Sequence, residues 1–338
     1  VVPPEERVTP IIVALFACAV AFLLTPLARA LSLRLDVIDR PNARSSHTVP
    51  TPRSGGIAIL AGVFASAFAV RGMEWFAVGM LLVAIVGFVD DLRGLRAAVR
   101  FGAQLFAGAF VVFGSSFVLQ VIDLPYVRLQ LVAPLAIAVT LFWIVGVTNG
   151  YNFMDGINGI AALEAIAAGA TLSVLFLRIG HTSHAVLAAA FAGAALGFLP
   201  WNFPKARIFM GDVASGALGF AFAALAVMYA KYGGSFIAAG LVLAPFLFDT
   251  GITILRRITR REHLATAHRT HFYQRLTILG WSHTSVSLLW FVLAIVSGAA
   301  GVVYASADDM LRAVLLGTVL LFHVGIAVAI TVAERRGV

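Results

Sequence analysis

The chain has 338 residues, 61% of them hydrophobic and only 12% charged. Soluble globular chains carry about 25% charged residues, and a chain this apolar is not a disordered one either. At mean hydropathy +0.97 and net charge +8, what remains is a polytopic membrane protein whose loops hold the charge, so the basic balance does not imply a nucleic-acid partner. One cysteine, Cys18, excludes a disulfide framework and a thiolate metal cluster.

Eleven apolar segments follow in chain order, near 10–30, 55–70, 73–89, 98–118, 131–147, 157–177, 185–200, 213–230, 235–253, 285–304 and 310–331. A membrane span needs about 20 residues, so the segments at 55–70 and 185–200 have soft edges. Gly and Ala recur within the spans, which suits close helix packing. The expected fold is all-α: a polytopic membrane protein of about eleven transmembrane helices, forming one membrane domain over 1–338. The first segment does not read as a signal peptide, because Glu5 and Glu6 stand beside Arg7 upstream and no cleavage site follows. No internal repeat of the transporter kind is visible.

The loops at 31–54, 90–97, 148–156, 201–212 and 254–284 share one side with the C-terminus and, with the adjoining span ends, hold eighteen Lys and Arg, against six on the other side. The positive-inside rule then makes the first side cytoplasmic and puts the N-terminus outside. That side also holds nearly every unusual polar group, while the middles of the spans are almost free of charge. A layer of polar groups at one membrane surface reads as an active site rather than a path across the bilayer.

The first loop runs from Asp36 and Asp39 through Arg44, His47 and Arg53 to Gly55-Gly56. Its prolines fix turns, and Arg44, His47 and Arg53 can hold phosphate oxygens; a turn-rich connector with topological charge explains the loop equally well. The third segment ends in Asp90-Asp91, two carboxylates that are costly beside an apolar span unless a cation or a wet cleft compensates them. Asn149, Asn152 and Asp155 recur every three residues among glycines, so on a helix they share a face where amides meet phosphate or a hard cation. Asp212 opens the eighth span, where it can cap the helix and can also ligate Mg²⁺, two roles that do not exclude each other. His268 and His271 in the long loop, with Arg269 between them, face one way if helical and suit a pyrophosphate grip better than zinc. His181, His184, His283 and His323 read as structural or surface residues.

Together these stretches resemble the polyprenyl-phosphate N-acetylhexosamine-1-phosphate transferase superfamily, glycosyltransferase family 4. The resemblance rests on DRPNARSSHTVPTPRSGG at 39–56, DDLRG at 90–94, NGYNFMDGINGIA at 149–161, RIFMGDVASGALGF at 207–220 and HRTHFYQRL at 268–276. The last motif is similar to that of the branch that initiates O-antigen synthesis. It lacks the three consecutive histidines of the peptidoglycan translocase, and Arg93-Gly94 replaces the lysine expected after that enzyme's Asp pair. The resemblance implies Mg²⁺-dependent transfer of N-acetylhexosamine-1-phosphate from a UDP-sugar, of the UDP-GlcNAc, UDP-FucNAc or UDP-QuiNAc type, to undecaprenyl phosphate. UMP would leave, at the cytoplasmic face of a bacterial inner membrane, as the first step of O-antigen or another cell-surface glycan.

The resemblance further implies Asp212 as Mg²⁺ ligand and Asp90 or Asp91 as the group that binds or deprotonates the lipid phosphate. Asn149, Asn152 and Asp155 would shape the nucleotide and phosphate site, Asp155 counting among the catalytic carboxylates. His268, Arg269 and His271 would grip the diphosphate, with Asp249 behind them. The implied partners are the UDP-sugar, undecaprenyl phosphate and membrane lipid, with a homodimer left open. The competing readings are a transporter or flippase for a nucleotide sugar or polyprenyl lipid, and a membrane scaffold. A CDP-alcohol phosphotransferase is set aside because D-G-x-x-A-R is missing.

Overall fold

A computed structural model describes residues 9–41, 46–66, 72–263 and 268–336 of the protein. The chain forms α1 (Pro10–Arg34), β1 (Ile38–Asp39), β2 (Thr51–Pro52), α2 (Gly56–Ala65), α3 (Glu74–Arg93) and α4 (Ala97–Ser115). Next come β3 (Val121–Leu124), β4 (Val127–Gln130), α5 (Ala133–Met154), α6 (Ile160–Arg178), α7 (Thr182–Asn202) and α8 (Asp212–Lys231). The last elements are α9 (Phe236–Leu241), α10 (Ala244–Thr259), α11 (Phe272–Ile278), α12 (His283–Tyr304) and α13 (Asp309–Arg336).

The all-α polytopic architecture is as expected, with two small antiparallel ribbons added, β1–β2 and β3–β4. Among the described residues nine helices are long and apolar enough to cross a membrane. They correspond to nine of the eleven expected segments. The segment at 55–70 appears as α2, ten residues long, with residues 67–71 outside the described part. The segment at 235–253 is broken into α9 and α10, because Pro245 at the start of α10 has no N–H to continue a helix through it. The stretch 119–130, between the fourth and fifth apolar segments, holds the β3–β4 hairpin, turning at Pro125 and Tyr126.

The centre of the bundle is α8, 94% buried over its apolar window, whereas α13 is 17% buried and faces outward. Around α8 stand α3 and α5, and α1 packs along α7. The α1–α7 contact is close because both helices present small residues. A Cβ on Gly193 would run into the backbone of Ala14, and one on Gly197 into the backbone of Cys18. In lipid no hydrophobic drive favours one apolar contact over another, so such close approach, which maximises dispersion, holds the helices together.

At one end of the bundle, Arg29 Nε donates to Arg207 O at 3.2 Å, Asn152 to Asp212 at 3.0 Å and Tyr273 Oη to Phe153 O at 3.0 Å. Every sequence motif with chemistry in the described residues meets there. The other end is closed by Lys231 to Ser116 O at 2.8 Å and Arg178 to Val302 O at 2.6 Å.

Replacing Gly197 by Leu should force α1 off α7 and cost about 1–3 kcal/mol, seen as a lower thermal midpoint in detergent. Gly146→Leu is the matched control, since its Cβ meets open space. Equal midpoints for the two variants would show that the α1–α7 contact is looser than described.

Candidate functional site

The site is built where α3 ends and α8 begins. Gly87 lets the two helices touch: a Cβ there would collide with the backbone of Asp212. The turn into α8 passes through Gly211 at φ 78, a left-handed conformation that side chains resist. Segment 209–210 also runs along the first loop, where Phe209 N donates to Pro52 O at 2.8 Å and Gly55 N to Phe209 O at 2.9 Å.

Asp91 points into this junction with its side chain wholly shielded from solvent. Its carboxylate accepts from Ser54 Oγ at 2.9 Å, from the Asp212 amide at 3.0 Å and from the Val213 amide at 3.4 Å. Arg53 Nε stands 3.7 Å away, and the same guanidinium donates to Asp91 O. The N-cap of α8, Gly211, has no side chain to offer. Asp91 therefore caps α8 from a neighbouring helix, meeting amides that α8 itself leaves free.

That leaves Asp212 without a capping duty. Its carboxylate, 31% exposed, turns to Arg100 Nη1 at 3.2 Å and to Asn152 Nδ2 at 3.0 Å. Of its two expected roles, the helix cap is thus filled by Asp91. Asp90 meets the same Arg100 nitrogen at 2.7 Å and also accepts from the Leu95 amide. Asn152 continues to Ser215 Oγ at 2.8 Å, and Asn149 donates to Gln104 and to Val145 O. Arg100, Gln104, Asn149, Asn152 and Asp212 line one open cleft against Val83 and Gly87.

Asp155 ends α5 in a non-helical conformation, so only Asn149 and Asn152 of the expected triplet lie on the helix. Its amide donates to Asn152 O at 3.2 Å, but its carboxyl has no hydrogen-bond or ion-pair partner among the described residues. Burial pushes its carboxyl up to about 7, and the Asp91 charge adds to the effect. Beside it Tyr273 Oη donates to Phe153 O, and Gly156 makes room for that phenol.

Asp249 on α10 repeats the capping device. It accepts from the Phe272 and Tyr273 amides at 2.9 and 3.1 Å and faces His271 Nδ1 at 3.1 Å. His271 is the N-cap of α11 and residues 268–270 are not helical, so His268 and His271 do not share a helix face as expected. Their rings nevertheless stack at 5.1 Å. Burial and the neighbouring His271 and Arg257 push the His268 imidazole down to about 4, so it is neutral at pH 7. Arg269 is half-buried and its Nε has no partner among the described residues.

The first loop closes the group. His47 packs edge-on against Phe209 at 4.9 Å and lies 4.0 Å from Asp39. Arg44 lies outside the described residues. His283, read from sequence as structural or surface, lies by the first loop within electrostatic reach of His47 and Arg269. Arg100 and Gln104 were also missed as site residues. Their signal is i, i+4 spacing on the helix that follows the Asp pair.

Mg²⁺ takes one or two carboxylates, with waters and substrate phosphates completing its shell, rather than a cage of protein ligands. Asp90 and Asp212 already converge on one cationic nitrogen, and among the described residues no group of three or more His, Cys, Asp or Glu forms such a cage. The donor set fits Mg²⁺.

The profile of glycosyl transferase family 4 matches residues 73–230, the stretch that supplies Asp90, Asp91, Arg100, Asn152, Asp155 and Asp212. A probable undecaprenyl-phosphate N-acetylglucosaminyl 1-phosphate transferase of Bacillus subtilis is 29% identical, covering 94% of this chain and 91% of that protein. A decaprenyl-phosphate N-acetylglucosaminephosphotransferase of Mycobacterium leprae is 32% identical, covering 96% and 91%. A phospho-N-acetylmuramoyl-pentapeptide-transferase of Symbiobacterium thermophilum is 31% identical, covering 81% and 88%. With its carboxylates gathered at one end of a helical membrane bundle and these relatives matched nearly end to end, the chain belongs to glycosyl transferase family 4, the polyprenyl-phosphate sugar-1-phosphate transferases.

Proposed function

We propose that the protein transfers N-acetylhexosamine-1-phosphate from a UDP-linked donor to undecaprenyl phosphate and releases UMP, with Mg²⁺, at the cytoplasmic face of a bacterial inner membrane. The observation that carries this reading is the convergence of Asp90 and Asp212 on Arg100 at one end of the spans, beside a cleft that Arg100 and Asp212 line. The relatives' names support the acceptor and donor classes, and two of them support N-acetylglucosamine as the first sugar to test. The HRTHFYQR motif supports a role in starting O-antigen or a related surface glycan. The eighteen-to-six charge split supports the cytoplasmic placement, and the eleven apolar segments support an outside N-terminus.

The chemistry asks for little proton transfer. A lipid phosphate oxygen is already nucleophilic, so bringing two anions together is the main barrier. Asp212, with Asp90 beside it, would hold Mg²⁺, and the metal would supply positive charge to the donor's diphosphate oxygens. Asn152 fixes the Asp212 carboxylate, and Arg100 is free to turn from the carboxylates to a phosphate. Arg269 offers a guanidinium, and neutral His268 offers a hydrogen bond rather than a charge. A donor panel with undecaprenyl phosphate, following UMP release from the purified enzyme, tests the reaction; no UMP from any UDP-N-acetylhexosamine would end it.

Asp212→Asn should lower turnover about a hundredfold or more while the folded, inserted protein persists, because an amide cannot carry the charge. Near-wild-type turnover across a Mg²⁺ titration would remove Asp212 from the metal.

Asp90 and Asp91, though adjacent, should fail differently. Asp91→Asn should lower stability by about 1–3 kcal/mol, because it strips acceptors from buried donors. Asp90→Asn should leave the thermal midpoint close to wild type and lose turnover. The reverse pattern would exchange their roles.

Asp155 gives a pH signature. Its folded pKa, about 7, stands above the ordinary 3.8, so between these values the folded chain keeps a proton that the unfolded chain releases. Its contribution to stability is therefore complete below pH about 4 and is lost as pH rises to about 7. The midpoint of Asp155→Asn should gain on wild type between pH about 5 and about 7, and a constant gap would show that Asp155 titrates normally.

A further inference from the structure

At the end of the bundle opposite the aspartate cleft, a cleft of about 490 Å³ opens under the β3–β4 hairpin. It is walled by the hairpin and by the ends of α6, α8, α12 and α13, with Asp123, Tyr126, Arg128, Tyr229, Asp309 and Arg312 as its polar lining. Ligand pockets fall in the range of roughly 300–1,000 Å³.

Arg312 is held in place but not used up. Its Nε donates to Tyr304 O at 3.2 Å, and its guanidinium lies over the Tyr304 ring at 5.1 Å. Its Nη1 lies 4.0 Å from Asp123 and 4.0 Å from Asp309, beyond hydrogen-bond reach of both. A plain structural tie would close these gaps; here one cation and two carboxylates stand around a space. Asp123 is itself fixed, since Tyr304 Oη donates to its carbonyl at 2.9 Å.

Tyr229 adds an independent sign. It is 1% exposed and lines the cleft, yet its hydroxyl has no hydrogen-bond partner among the described residues. Gly234 leaves the room its ring occupies, because a Cβ there would overlap that ring. The hydroxyl opens on the cleft rather than into the packed interior, so it can hydrogen-bond whatever occupies that space.

The geometry points to a binding site for a group that carries both a phosphate and a primary ammonium. Two guanidiniums, Arg128 and Arg312, suit the phosphate, and two carboxylates, Asp123 and Asp309, suit the ammonium. The balance of two positive and two negative groups disfavours a ligand of one sign alone. The cleft lies where spanning helices end, so an ethanolamine phospholipid headgroup and free phosphoethanolamine are the two sources of this chemistry.

The test uses the full-length purified protein and native mass spectrometry. Phosphatidylethanolamine, phosphatidylcholine and phosphatidylglycerol are titrated separately, and O-phosphoethanolamine forms a further arm. One retained phosphatidylethanolamine per chain is expected, with phosphatidylcholine about tenfold weaker because its quaternary nitrogen has no N–H to donate. Asp123→Asn should weaken retention about tenfold and Tyr229→Phe about threefold. The Tyr229 variant keeps the ring and therefore the packing. Saturable O-phosphoethanolamine binding without lipid preference would assign the same site to a soluble ligand. Equal retention of the three lipids with no phosphoethanolamine binding, or variants that bind like wild type, would overturn the site.

Discussion

The junction of α3 with α8 depends on one buried carboxylate. An ionised side chain removed from water costs several kcal/mol unless donors replace the lost hydration. Asp91 finds them in Ser54, in two amides of α8 and in the nearby Arg53 guanidinium. The positive end of the α8 dipole adds to their effect. Three separate stretches, the first loop, the end of α3 and the start of α8, are thereby fixed to one atom group. The cap comes from another helix, so α8 can begin with a residue whose own carboxylate is free to face the cleft.

The acidic residues thus divide by how fully they are satisfied. Asp91 and Asp249 accept several hydrogen bonds each and hold helix starts, α8 and α11, in place. Asp90 and Asp212 share a single guanidinium, which a phosphate or a metal can draw away. Asp155 has no such partner and responds by holding its proton. Saturated carboxylates make good anchors and poor ligands, while unsaturated ones carry strain that a cation relieves. This ordering separates position from chemistry within a set of residues that look alike in sequence.

Much of this was legible in the chain. Nine of the eleven apolar runs became long helices, the short one at 185–200 among them, while the run at 235–253, long enough by count, is broken ahead of Pro245. The polar motifs gathered at one end because a charge in mid-span is costly. The exchange of roles between Asp91 and Asp212 was not legible, since a cap supplied from 121 residues away leaves no local pattern. Arg100 was hidden among charges that topology already explained. His268 and His271 met by stacking rather than by helical spacing, because His271 begins its helix instead of lying within it. His283 carried no motif of its own, and only the fold brings it to the first loop.

The broken span α9–α10 shows why irregular backbone occurs where it does. Its break at Val242 and Leu243 is buried in protein, so the interrupted backbone is not left facing lipid. Beyond the break α10 is two-faced: Asp249, Thr253 and Arg257 recur every four residues and are buried, while Ile252, Leu255 and Ile258 are exposed. A continuous helix through Pro245 would have kept one direction and one face to its end. The break lets the second half choose its own rotation, with the apolar face toward lipid and the Asp249 carboxylate toward the start of α11. The placement of Tyr273 beside Phe153 and Asp155 follows from that rotation, and so the shape of the site traces back to a proline that cannot donate a hydrogen bond.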